Sequence, residues 1–115
     1  MITNNNMIDL QQLQKEAYQN KLDKGFNTTD VAMEFCRAHE ELSEAFKKYN
    51  QDEEGVGEEL ADVAIFLLGI SEIMGFDLQA ELLKKIEKNK KRKYTTHVNK
   101  DGKTVFMRVV TDDDK

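Results

Sequence analysis

Four acidic residues carry the first chemical signal in this sequence: Glu41 with Glu44, and Glu59 with Asp62, each pair three residues apart, with Glu40 just before the first. Residues three apart on a helix stand side by side, with roughly 5–6 Å between their Cβ atoms. Carboxylates held that close repel unless positive charge lies between them, so two such pairs on successive helices point to a divalent cation. Magnesium suits the set, with manganese as the alternative. Magnesium takes hard oxygen ligands, keeps several waters and is commonly shared with substrate phosphates. Glutamate is also a good helix former, and E-x-x-E arises on solvated helix faces without any ion. The repeat of the pair beside strongly apolar residues gives the metal reading its weight.

Helices must position these groups. About a third of the 115 residues are charged and there is no proline or tryptophan, a profile of long helices rather than of an all-β fold. The length bounds the chain to one domain, small enough that self-association would help bury apolar surface. Leu10, Leu13 and Ala17, with Tyr18 beside them, predict a first amphipathic helix from Met7 to about Leu22, ended by Gly25. Asn27 to Asp30 supply turn and N-cap chemistry for a second helix, about Asp30 to Tyr49. Its core stripe is Val31, Phe35, Ala38, Leu42, Ala45 and Tyr49. Glu41 and Glu44 fall on the flank of that stripe, about 90° and 150° from its centre.

The third helix, about Glu58 to Met74, is the most apolar stretch. Leu60, Ala64, Leu67 and Ser71 define one face, and Ile65, Phe66 and Gly69 occupy much of the other, so burial on two sides is expected. Glu59 and Asp62 again lie about 90° and 150° from the main stripe, as two antiparallel helices sharing one site require. Gly75 is placed as a C-cap and Asp77 as the N-cap of a fourth helix, whose Leu78, Leu82, Leu83 and Ile86 should face inward. That helix ends in Lys84, Lys85, Lys88, Lys90, Lys91, Arg92 and Lys93. The run complements the helix dipole as a solvated end, and it could also supply cations for an anionic substrate. Thr95 to Val98 and Thr104 to Val110 then flank Asn99-Lys100-Asp101-Gly102 and predict a short hairpin with positive φ at Gly102. The expected organisation is all-α: a four-helix bundle over 1–94 that oligomerises, a β-hairpin extension over 95–111, and a disordered tail at 112–115, after a frayed lead-in at 1–6.

A net charge of -5 argues against binding a nucleic acid polymer. The longest apolar run, Val63 to Ile70, is far shorter than the roughly 20 residues that span a bilayer. Cys36 is the single cysteine, so no intrachain disulfide forms, and packing is its expected role. The asparagine-rich N-terminus does not resemble a signal peptide, and a cytoplasmic location is expected. His39 could act as an acid or base, although a lone histidine on a helix is more often a surface or packing residue, and His97, in the hairpin, has no partner identifiable from sequence. Phe26 and Tyr18 could stack on a base, although aromatics beside helix ends usually pack in the core. Glu40, next to the paired acids but outside them, is the candidate general base, and its alternative is an exposed helical glutamate.

Glu40-Glu41-Leu42-Ser43-Glu44, followed after fourteen residues by Glu59-Leu60-Ala61-Asp62, resembles the EExxE and ExxD motifs of the MazG-like, all-α nucleoside triphosphate pyrophosphatase superfamily. Lys85, Asn89 and Arg92 are similar to the K-x-x-x-N-x-x-R element near the end of that fold. The likeness covers about residues 8 to 94. It implies a magnesium-dependent hydrolase that cuts a nucleoside triphosphate between the α and β phosphates, releasing a monophosphate and pyrophosphate. It further implies Glu41, Glu44, Glu59 and Asp62 as metal ligands, substrate contacts from Lys85, Asn89 and Arg92, and a homodimer or homotetramer of interlocked helices. The hairpin departs from the minimal pattern. Two other readings compete: a related phosphoribosyl-ATP pyrophosphohydrolase, and a non-catalytic helical oligomer that uses its third helix as an interface and its charged fourth helix to bind a partner.

Overall fold

A computed structural model of the chain describes residues 7–110, so the expected lead-in at 1–6 and tail at 112–115 lie outside it. The element order is α1 (Leu10–Lys24), α2 (Val31–Asn50), α3 (Val56–Met74), α4 (Leu78–Lys91), β1 (Lys93–Val98) and β2 (Thr104–Val109). The described part is thus mostly helical and ends in a two-stranded antiparallel hairpin. None of these helices is long and apolar enough to cross a membrane. The chain divides into two compact units, residues 7–79 and 80–110, with the break inside the first turn of α4.

In the first unit the helix ends follow local chemistry. Asp30 caps α2 by accepting from the Met33 amide at 3.1 Å. Gly25 and Gly75 close α1 and α3 with φ of 72° and 81°, a left-handed conformation that glycine adopts without a Cβ clash. α3 is the central strut, packed on both α2 and α1. Its buried residues are Leu68, Gly69, Ile70 and Ser71, and α2 adds Ala38 and Ala45.

The expected core stripe of α2 is therefore only partly realised. Its two alanines are buried, but Phe35 is 47%, Leu42 50% and Tyr49 71% exposed. The reason is angular. At about 100° per residue, Ala38 and Ala45 lie near the edge of the face that also carries Glu34, Glu41 and Lys48. That edge meets α3, which leaves the bulky half of the stripe outside. On α3, similarly, Ser71 is buried while Leu60 and Leu67 of the same predicted face stay about half exposed.

Polar side chains hold the helices where small residues cannot. Buried Gln14 of α1 donates to Glu72 Oε1 at 2.9 Å and to the Phe76 carbonyl at 2.8 Å, and accepts from the Leu78 amide at 3.1 Å. Gln79 returns the favour by accepting from the Leu10 amide at 2.8 Å, so α1 and the start of α4 satisfy each other's orphan amides. Buried Lys21 of α1 forms an ion pair with buried Glu34 of α2. Its stem passes Gly69, where a Cβ would stand 3.1 Å from Lys21 Cε.

In the second unit the last turns of α4 run into the hairpin. The strand begins at Lys93, two residues earlier than the sequence pattern suggests, and pairs in register from Lys93 with Val109 to Val98 with Thr104. Gly102 has φ of 80°, and Asn99 Oδ1 accepts from the Asp101 and Lys103 amides at 3.0 Å each. Leu82, Leu83 and Ile86, expected to face inward, are exposed.

Candidate metal site between α2 and α3

Glu41 lies midway along α2, and Glu59 and Asp62 lie in the first two turns of α3. Ala38 and Ala45 bring the two helices together on either side of Glu41, so the three carboxylates face one gap. One oxygen from each of Glu41, Glu59 and Asp62 lies within 4.8 Å of the others, and all three residues are half-buried.

The electrostatics are asymmetric. Partial burial, a hydrogen bond with Glu59 and the charges of Asp62, Glu59 and Glu44 push the Glu41 carboxyl above the usual carboxylate range. Glu59 moves the other way, held down chiefly by its bond to Lys48, then by the Lys48 charge and the Glu41 contact. Lys48 Nζ stands 2.9 Å from Glu59 Oε1, and that pairing raises the lysine in turn. The contact between the two carboxyls thus disfavours ionisation of Glu41 and favours it at Glu59. Three hard oxygen donors with excess negative charge suit a small divalent cation such as magnesium.

No family model, curated protein or solved structure matches the chain.

The remaining predicted residues fall in different places. Glu44 is exposed and outside the close group, although its charge acts on Glu41. Glu40 is exposed about 100° round the helix from Glu41. Its carboxylate lies 3.8 Å from Arg37 in a solvated pair. Lys85, Asn89 and Arg92 belong to the second unit, where Arg92 Nη1 donates to Asn89 Oδ1 at 2.9 Å. His39 and His97 are exposed, as is Cys36. Tyr18 is half-buried on α1.

Two features escape the acidic motifs. Lys48 follows Glu41 by seven residues and Glu44 by four, which is the same helix face, and that spacing was the available signal. The second is a recess of about 250 Å³ lined by Lys21, Phe26, Asn27, Met33, Glu34, Arg37 and Phe66. Phe66 is one turn beyond Asp62 and Arg37 one turn before Glu41, so the recess adjoins the acid group along both helices. Lys21 Nζ lies 5.4 Å from the centre of the Phe66 ring.

Proposed function

We propose that this chain is a magnesium-dependent nucleotide pyrophosphohydrolase that cleaves a (deoxy)nucleoside triphosphate between its α and β phosphates in nucleotide-pool housekeeping. The observation that carries the reading is the convergence of Glu41, Glu59 and Asp62 from two helices, with ligand oxygens within 4.8 Å of one another. The motif resemblance supplies the substrate class, and the adjoining recess supports it with two aromatic side chains, Phe26 and Phe66, in its lining.

In this reading Glu59, Asp62 and Glu41 hold the magnesium, which supplies positive charge to the triphosphate and acidifies water at the site. Glu44, close enough for its charge to reach Glu41 yet outside the ligand group, takes the base role in preference to Glu40. For contacts to the phosphates the only support is the motif resemblance, which matches Lys85, Asn89 and Arg92 of the second unit. The working form is a cytoplasmic homodimer or homotetramer, which the half-exposed Leu42, Leu60 and Ile65 favour.

The test is a panel of canonical, deoxy and damaged nucleoside triphosphates, with phosphoribosyl-ATP included, incubated with magnesium and analysed for products. Pyrophosphate, rather than orthophosphate, is the expected product. The Glu41→Gln, Asp62→Asn double variant should lose turnover by at least about a hundredfold. Glu44→Gln should lower kcat more than Glu40→Gln does. Undiminished turnover in the double variant would falsify the site.

A further inference from the structure

We propose that Lys48 is a resident counter-ion of the acid group, which a divalent cation must loosen from Glu59 and which then turns to the substrate phosphates. The inference rests on the metal site of the hydrolase reading and assigns that site a built-in regulator.

The placement of Lys48 is specific. Its ammonium is 2.9 Å from Glu59 Oε1, and its side chain is only 28% exposed, whereas Lys47 beside it on α2 is exposed. The stem runs over Gly55, the residue before α3, where a Cβ would stand 3.1 Å from Nζ and 3.7 Å from Cδ. Gly55 also has φ of 99°, so the same glycine turns the chain into α3 and clears the path of the lysine. Lys48 thus reaches the cluster from its own helix through a gap left by the loop.

A metal ion on Glu59 and the ammonium at 2.9 Å from the same carboxylate repel each other across a partly buried site. Each therefore weakens the other's hold, and the coupling is reciprocal. A triphosphate brings Lys48 a new anionic partner and removes that penalty. Metal and nucleotide should consequently bind more tightly together than either does alone.

Manganese binding, followed by electron paramagnetic resonance without nucleotide, tests this directly in the full chain. Lys48→Met should bind Mn2+ roughly three- to fivefold more tightly than wild type, the size expected of a partly exposed ion pair. Lys47→Met makes the same change in net charge away from the cluster and should leave the affinity unaltered. Lys48→Gln provides the same readout if the apolar variant folds poorly by circular dichroism. Adding a triphosphate analogue with a non-hydrolysable α–β bridge should tighten Mn2+ in wild type more than in Lys48→Met. Wild type and Lys48→Met binding Mn2+ equally would overturn the role of Lys48 while leaving the metal site standing. Absence of Mn2+ binding in every variant would overturn the hydrolase reading itself.

Discussion

Glu41 is the residue whose charge state sets the tone of the site. Its folded-state pKa is raised by partial burial and by neighbouring acids, so its favourable contribution to stability is present below the ordinary glutamate pKa. That contribution is lost as pH rises through the higher folded value. Glu59 has the opposite sign: paired with Lys48, it contributes above its ordinary value and ceases to as pH falls through its lowered one. Glu41→Gln keeps a donor for Glu59 and removes the repulsive charge. The variant should therefore melt a few degrees above wild type at pH 7, and the two should converge below about pH 4, where an ordinary glutamate is protonated. Thermal unfolding across that range decides the matter, and a lower Tm for Glu41→Gln at pH 7 would mean that its ionised carboxylate is held by cations instead.

The helices are joined by polar contacts as much as by apolar ones, and Lys21 with Glu34 is the main example. Their side chains are 11% and 3% exposed, and Asn27 adds a bond from its Nδ2 to Glu34 Oε2 at 3.0 Å. Lys21→Met strands a buried carboxylate and should destabilise the fold by about 3 kcal/mol in urea unfolding. Adding Glu34→Leu should recover much of that loss, because two apolar groups can replace a buried pair. No recovery would mean that Glu34 is needed for its bond to Asn27. This pair also marks the limit of what the sequence discloses. Gly25, Asp30, Gly75 and the Asn99–Gly102 turn were legible because caps and turns depend on a few adjacent residues. The meeting of Glu41 with Glu59 and Asp62 was legible because both motifs have the same angular offset from their own apolar stripes. Lys21, Gln14 and Glu34 carry no signal in the sequence, since nothing local tells a buried polar side chain from a solvated one. Their burial depends on which faces meet. The same holds for the α2 stripe, whose alanines pack on α3 while Phe35, Leu42 and Tyr49 remain outside.

Taken whole, the single chain buries little. Among the described residues the buried hydrophobics are Ala38, Ala45, Leu68 and Ile70, and no side chain is below 2% exposure. Burying a leucine or phenylalanine side chain contributes about 1.5–3 kcal/mol, and folding must offset roughly 1–2 kcal/mol of backbone entropy per residue. Half-buried Leu13, Val63, Phe66 and Ile73 add to these four, while several large apolar side chains of α2 and α3 stay open. Phe35 at 47%, Leu42 at 50%, Phe46 at 64% and Tyr49 at 71% exposure lie along α2, with Leu60 and Ile65 about half exposed on α3. We expect a second copy of the chain to cover this surface, so that folding and association are coupled. Sedimentation equilibrium should give a dimer or larger assembly at micromolar concentration, and Tm should rise with protein concentration. A Leu42→Asp, Phe46→Asp double variant should shift the protein to monomers and lower its Tm by more than about 10 °C. A monomeric wild type whose Tm does not depend on concentration would contradict the coupling, and would require these side chains to be covered by contacts within one chain.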